Sequence, residues 1–164
     1  MGKSGQHQHK RVTDRAVARI IKRLDELPGY EIFKYYDAEG NLTRVNSKDV
    51  NQYIKNVMGE EFSAKDFRTW GGTLLASVEL AAVTRANSER ERKRTVNVCI
   101  RKVARKLGNT PAIARGSYID PRIISSFLAG DDLKTIRDAV ANVGEKGYLS
   151  NDEQCVLRLL QKTA

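Results

Sequence analysis

The strongest structural signal in this chain is a sharp boundary between two helices at residues 107–118. A long stretch with helical apolar spacing runs up to Gly108, and a glycine directly after such a stretch favours a left-handed helix end. Thr110 and Pro111 then give the cap-then-proline pattern that begins a new helix. This part of the chain is therefore predicted to fold as two helices joined by a tight turn, with Tyr118 at the end of the second helix.

Helical spacing of apolar residues recurs through most of the chain and is interrupted by a small hairpin predicted over residues 30–36 and 42–45. The predicted helices cover residues 14–27, 47–58, 63–83, 88–107, 110–118, 121–128, 132–143 and 150–161. In the helix over 63–83, the residues predicted to face inward are Phe67, Trp70, Leu74, Leu75 and Val78. The sequence therefore predicts one mainly α domain over residues 1–164, with a minor β element near its front (α+β).

The composition is typical of an intracellular globular protein. At 164 residues the chain is long enough for one domain with a sizeable core, and 40% of its residues are apolar. It contains no apolar run long enough for a membrane span, and residues 1–10 have no apolar signal-peptide core. Two cysteines, Cys99 and Cys155, are too few for a disulfide framework and are predicted to be reduced packing residues. These features predict a cytoplasmic location.

The positive charge of the chain is concentrated in one segment. The chain has 29 Lys and Arg against 20 Asp and Glu, which gives a net charge of +9. Residues 85–115 hold ten of the basic residues and two acidic ones, Glu89 and Glu91. A basic block on an otherwise balanced domain is typical of a protein that binds a polyanion. The ordinary alternative is a solvated helix face, but such faces usually mix charges of both signs.

Four residue types in the chain suit the cleavage of a phosphodiester without a metal ion. A tyrosine can supply the nucleophile, and a lysine can give a proton to the leaving alkoxide. An arginine and an asparagine can donate hydrogen bonds to the phosphorane oxygens. The candidates, in chain order, are Lys3, Arg68, Asn109 and Tyr118. Each has an ordinary interpretation too: a charge near the N-terminus, a surface arginine, a turn residue and a half-buried packing residue, respectively.

The motifs around these residues resemble the catalytic core of the type IB DNA topoisomerases and, more distantly, the tyrosine recombinases. The matching segments are Gly2-Lys3-Ser4-Gly5, Lys65-Asp66-Phe67-Arg68-Thr69-Trp70, and the run from Leu107-Gly108-Asn109-Thr110-Pro111 to Ser117-Tyr118. The resemblance implies that Tyr118 attacks duplex DNA to form a 3′-phosphotyrosyl intermediate, and that religation then relaxes supercoils. It implies that Lys3 is the general acid and that Arg68 and Asn109 stabilise the transition state. It implies no metal, ATP or other cofactor.

The implied partner is double-stranded DNA, bound by a monomer at the nucleoid. The resemblance gives Lys65 a role as a contact near the scissile bond. The basic block adds further predicted DNA contacts, which are Arg101, Lys102, Arg105, Lys106 and Arg115. No metal site is predicted, because His7 and His9 have no further ligands at a familiar spacing.

The sequence departs from the family pattern in two ways. In the family, the catalytic lysine lies on a β-hairpin, whose tip Gly2-Lys3-Ser4-Gly5 resembles. The family takes an additional catalytic arginine from a Leu-Arg motif upstream of that hairpin, and a clamp domain also precedes the hairpin. Neither feature is found before Lys3, and Arg11 and Arg15 follow it. The chain is therefore expected to be a C-terminal catalytic fragment that is slow or inactive alone.

Two alternatives stay open on the sequence. A tyrosine recombinase shares the chemistry, although recombinases usually have histidine where this chain has Lys65 and Asn109. A non-catalytic DNA-binding module is the alternative from another class.

Overall fold

A computed structural model describes residues 13–83, 86, 88–131 and 148–162. These residues form seven helices and one two-stranded hairpin, so the prediction of a mainly α chain with a small β element is confirmed. The elements are α1 (Arg15–Asp25), β1 (Lys34–Tyr36), β2 (Leu42–Arg44), α2 (Ser47–Met58), α3 (Ala64–Ala81), α4 (Glu89–Leu107), α5 (Pro111–Ser117), α6 (Pro121–Ala129) and α7 (Asn151–Lys162). Lys3, His7, His9 and the helix predicted over 132–143 lie outside the described residues. The described helices include none with the length and hydropathy of a membrane span.

The chain divides into two compact units, residues 1–64 and 65–164. In the first unit, β1 and β2 pair antiparallel between α1 and α2 along the chain. The carboxylate of Asp37 closes the hairpin turn by accepting hydrogen bonds from the N–H groups of Asn41 and Glu39. A capping box formed by Asn46 and Asp49 begins α2. The local hydrogen bonds of turn and cap residues thus define the element boundaries in this unit.

In the second unit, the helix boundaries follow the predicted cap signals. Ser88 and Glu91 form a capping box at the start of α4. Gly108 ends α4 in the left-handed conformation, and Thr110 caps α5, which has a proline in its first turn. These local signals place the α4–α5 boundary where the sequence predicts it.

The core of the second unit lies between α3, α4, α5, α6 and α7. Its buried apolar members are Ala76, Leu80, Ala81, Val96, Cys99, Ile100, Val103, Ala104, Ala114, Ile119, Ile123, Ile124, Phe127, Cys155 and Leu159. The prediction that Phe67 faces inward is wrong, because its side chain is 55% exposed. The fully buried positions of α3 include small residues such as Gly72, Thr73 and Ala76. Small side chains allow other parts of the chain to approach α3 closely.

Candidate active site

The turn between α4 and α5 determines the position of Asn109. Gly108 has φ 68° and ψ 44°, and the N–H of Asn109 donates to the carbonyl of Ala104 at 2.8 Å. These features are those of a Schellman-type helix end. The residue four positions after Leu107 is Pro111, which has no N–H. The helical hydrogen-bond ladder therefore cannot satisfy the carbonyl of Leu107, and other donors can reach it.

The carbonyl oxygen of Leu107 accepts hydrogen bonds from two of the predicted catalytic side chains. Arg68 Nη2 donates to it at 2.9 Å, and Asn109 Nδ2 donates to it at 3.2 Å. A carbonyl oxygen has two lone pairs and can accept both bonds. Arg68 on α3 and Asn109 after α4 are distant in the sequence, but they meet at this one atom.

Tyr118 lies next to Arg68. The guanidinium carbon of Arg68 is 4.8 Å from the centroid of the Tyr118 ring, which is within the range of a cation–π interaction. Next to these residues, the hydroxyl of Thr69 lies 3.1 Å from the carbonyl oxygen of Lys65 and 3.4 Å from that of Ser117, and it can donate to either. The structure therefore brings together Arg68, Asn109 and Tyr118, three of the four predicted catalytic residues.

The other two residues predicted to act at the scissile bond are placed differently. Lys65 lies in the first turn of α3, is exposed, and precedes Arg68 by three residues. Side chains three apart on a helix lie on neighbouring parts of its surface, so Lys65 is close in the helix to Arg68. Lys3, the predicted general acid, is outside the described residues.

The backbone of Tyr118 packs directly against Gly72 of α3. A Cβ atom at Gly72 would lie 3.1 Å from the carbonyl carbon of Tyr118 and far inside the contact distance of its carbonyl oxygen. Next to this contact, the hydroxyl of Thr73 accepts a hydrogen bond from the N–H of Asp120 at 3.0 Å. Thr73 is 2% exposed. Two consecutive residues of α3 thus fix the main chain on either side of Ile119.

Sequence reasoning missed the role of Thr73. The signal that could have found it is Gly71-Gly72-Thr73 inside a helix, because glycine in a helix is costly unless something approaches closely. The structure places that approach at Gly72, and it leaves open space around Gly71.

A salt bridge supports the start of α6 after the candidate nucleophile. Arg122 Nη2 lies 2.7 Å from a carboxylate oxygen of Asp120, and Arg122 Nη1 donates to the carbonyl of Leu160 in α7. The hydrogen bond from Arg122 lowers the pKa of Asp120. The ionised Asp120 therefore caps α6 and holds an arginine that reaches α7.

Trp70 connects α3 to α7. Its indole N–H donates to a carboxylate oxygen of Glu153 at 3.3 Å, and the other carboxylate oxygen accepts from the N–H of Ser150 at 2.9 Å. The hydrogen bonds from Ser150, and then the one from Trp70, lower the pKa of Glu153. Because Trp70 lies two residues after Arg68, this contact helps to fix the helix that carries the candidate arginine.

The basic block on α4 is only partly available for a ligand. Lys102 pairs with Glu79 at 2.6 Å, and Lys93 pairs with Glu89 at 2.6 Å. In the described ranges, by contrast, Arg101 and Arg115 are exposed and form no ion pair. The remaining predicted contacts, Arg105 and Lys106, are exposed on the last turn of α4.

A groove of about 220 Å³ runs between α4 and α5. It is lined by Asn97, Ile100, Arg101, Pro111, Ala112 and Arg115. Two guanidinium groups at an open groove give a favourable environment for phosphate oxygens.

The buried thiol of Cys99 has no features of a nucleophile. Burial, and then the nearby charge of Glu79, raise the pKa of Cys99 to about 12. The thiol therefore stays protonated at neutral pH, and a protonated thiol is a poor nucleophile. Cys99 is a packing residue, as the sequence predicts.

Comparison with known proteins relates this chain to a family model and to a viral relative. Residues 1–126 match the family model of the catalytic core of eukaryotic DNA topoisomerase I. A DNA topoisomerase 1B from Acanthamoeba polyphaga mimivirus is 36% identical over 125 residues. That alignment covers 72% of this chain and 37% of the relative, so the chain spans well under half of the relative's length. The matched residues include every motif that carries a candidate catalytic side chain.

Proposed function

Because the chain belongs to the type IB DNA topoisomerase family, we propose that it cleaves and rejoins one strand of duplex DNA through Tyr118. The hydroxyl of Tyr118 loses its proton to solvent, its oxygen forms a bond to phosphorus, and the bond from phosphorus to the 5′-oxygen breaks. Lys3 gives its proton to that leaving oxygen. Religation reverses these steps after strand rotation has relaxed supercoils, and the phosphotyrosine bond conserves the energy without ATP.

The observation that carries this proposal is the meeting of Arg68, Asn109 and Tyr118. One N–H group of Arg68 and one N–H group of Asn109 donate hydrogen bonds to the Leu107 carbonyl. A guanidinium has five N–H donors and an amide has two, so both side chains keep donors for the nonbridging oxygens of a phosphate. Hydrogen-bond donors fixed in advance around a reacting phosphorus are the main means of stabilising its added negative charge.

A suicide duplex tests the proposal directly. Such a duplex is nicked so that the short strand downstream of the cleavage site dissociates after cleavage, which traps the protein on the 3′ end. The chain, which the sequence predicts to be slow alone, is expected to form a covalent adduct slowly, over a long incubation, in buffer with EDTA and no ATP, visible on a denaturing gel. Release of the same duplex unmodified after denaturation would favour a non-catalytic DNA-binding module, and formation of a Holliday junction from paired duplexes would indicate a recombinase.

The proposed substrate is double-stranded DNA, bound by a monomer at the nucleoid. In this proposal the groove between α4 and α5 binds a section of the DNA phosphate backbone. Supporting this, Arg101 and Arg115 line the groove and are exposed. Binding through phosphate contacts should tolerate many sequences and should weaken with salt. Each neutralised phosphate contributes about −0.9 to the slope of log K against log salt.

Two neighbouring residues of α4 separate this proposal from a general effect of charge. Arg101→Ala is expected to make the slope of log K against log salt less negative by about 0.9, because one phosphate contact is lost. Lys102→Ala is the matched control, since Glu79 already neutralises Lys102, and the slope should barely change. Fluorescence anisotropy of a labelled duplex over a salt series measures both slopes. Equal changes in the two variants would contradict a role for the groove.

Asn109 is expected to act only as a hydrogen-bond donor. Asn109→Ala should lower the rate of adduct formation by about 100-fold, as for the loss of one fixed donor to an oxyanion. Asn109→His should retain much of the rate, because an imidazole N–H can donate from a similar place. Single-turnover cleavage of the suicide duplex measures both. Equal and total loss in the two variants, with unfolding by circular dichroism, would show that Asn109 serves the turn alone.

A further inference from the structure

The main-chain carbonyl of Leu107 holds two candidate catalytic side chains at once. Resting on the function proposed above, we propose that this carbonyl and the left-handed turn at Gly108 form a positioning device. The device sets the spacing of Arg68 and Asn109 before DNA binds. Leu107 and Gly108 do not touch the substrate in this scheme and act through the two side chains.

The end of α4 makes this carbonyl available. The carbonyl of Ala104 already accepts from the N–H groups of Gly108 and Asn109. For Leu107, the N–H that would continue the ladder belongs to Pro111, which lacks one. A carbonyl at a helix end that the ladder cannot satisfy takes donors from side chains. Here the donors are Arg68 and Asn109.

The conformation of Gly108 controls whether the side-chain amide of Asn109 can reach the carbonyl oxygen of Leu107. The φ and ψ angles of Gly108 lie on the covalent path between the Leu107 carbonyl and the Asn109 side chain. With φ at 68° and ψ at 44°, this path folds back so that Asn109 Nδ2 is 3.2 Å from the oxygen. Residues with a Cβ disfavour this region, whereas asparagine tolerates it better than most. Glycine at this position therefore maintains the shared hydrogen bonds.

The arrangement has a chemical advantage for phosphate. The shared acceptor is neutral, so it orients the guanidinium without the competing negative charge of a carboxylate. Arg68 is also held over Tyr118, so the same contact fixes its position relative to the proposed nucleophile. Side chains that are ordered in advance do not have to be ordered in the transition state, which favours the reaction.

Nuclear magnetic resonance can observe the carbonyl itself. Leu107-Gly108 is the only Leu-Gly pair in the sequence, so labelling with carbonyl-¹³C leucine and ¹⁵N glycine gives one HNCO signal. Accepting a hydrogen bond deshields a carbonyl carbon. Arg68→Ala and Asn109→Ala are each expected to move the signal to lower ppm, and Lys65→Ala, an exposed change on the same helix, to leave it in place. A signal that responds to only one of the two variants, or to neither, would overturn the shared acceptor.

Two glycines at helix ends then test the effect on the reaction. Gly108→Ala is expected to lower the rate of adduct formation about tenfold or more, with little change in duplex Kd. Gly130→Ala is the matched control, because Gly130 also ends a helix in the left-handed region, at φ 96°, with open space around its Cβ position. Its rate should stay within about twofold of the original protein.

Gly108→Asn keeps the test decisive if the alanine variant folds poorly. Asparagine is expected to restore most of the rate, because it tolerates the left-handed region better than alanine does. Equal rates for Gly108→Ala and the original protein, or equal losses at Gly108 and Gly130, would overturn the proposal. If the original chain forms no adduct at all, the proposed function fails, whereas the carbonyl signal still decides whether the positioning device exists.

Discussion

Tyr118→Phe is expected to abolish the covalent adduct with a suicide duplex. The change removes one oxygen atom, which is the proposed nucleophile, and keeps the ring over which Arg68 lies. No neighbouring group can take over, since a covalent phosphotyrosine needs that oxygen. Duplex binding should change little, because phosphate contacts from other residues supply most of the affinity. Denaturing gels measure the adduct, and fluorescence anisotropy measures the binding.

The other tyrosines provide the control for this result. The chain has six tyrosines, and Tyr30, Tyr53 and Tyr148 are strongly exposed. Exposed phenols could attack adventitiously if the reaction needed no organised site. Tyr53→Phe and Tyr148→Phe should therefore form the adduct at the original rate. An adduct that persists in Tyr118→Phe, or disappears in Tyr53→Phe, would place the nucleophile elsewhere.

Local sequence signals were sufficient to predict the α4–α5 boundary. A glycine at a helix end and a threonine before a proline act through the backbone of their own neighbours. Gly108 and Thr110 therefore have the predicted roles. For the same reason, the position of Tyr118 at the end of α5 follows from the sequence.

The contacts that assemble the candidate site could not be predicted in this way. Arg68 and the Leu107 carbonyl are 39 residues apart, and Thr73 and Asp120 are 47 apart. Such pairs depend on how α3 packs against the α4–α5 turn, and apolar periodicity contains no information about a main-chain acceptor. The motif order of Lys, Arg, Asn and Tyr suggested these residues only through the chemistry they share, and the structure brings Arg68, Asn109 and Tyr118 together.

The sequence was a weaker guide to which residues of α3 are buried and to which basic residues form ion pairs. Large apolar residues were expected on the inner face of α3, yet Phe67 is exposed and, apart from Leu80, the buried positions of α3 hold small residues. At Gly72, the backbone of Tyr118 leaves no room for a side chain. Likewise, a count of charges over 85–115 could not show that Glu79, outside that segment, neutralises Lys102.

Gly72→Ala is expected to disrupt both the fold around Tyr118 and the proposed reaction. The new Cβ would collide with the carbonyl of Tyr118 and would lie 3.2 Å from a methyl group of Leu107. Main-chain atoms cannot rotate away as a side-chain end can, so α3 and the α5 end must separate. Overpacking of this kind costs about 1–3 kcal/mol in the free energy of unfolding. Misplacing a reacting group by about 1 Å can cost roughly 100-fold in rate, so adduct formation should slow by about that factor even where the variant is folded.

Gly71→Ala is the matched control, because the two glycines are adjacent in the same helix and differ in their surroundings. Nothing lies within 4 Å of a Cβ at Gly71, so alanine there adds helix propensity without a collision. It should raise the free energy of unfolding by about 0.5–1 kcal/mol and leave the rate of adduct formation unchanged. Urea denaturation and single-turnover cleavage measure the two variants side by side. If both glycines tolerated alanine equally, the contact between α3 and Tyr118 would not be what holds the proposed nucleophile in place.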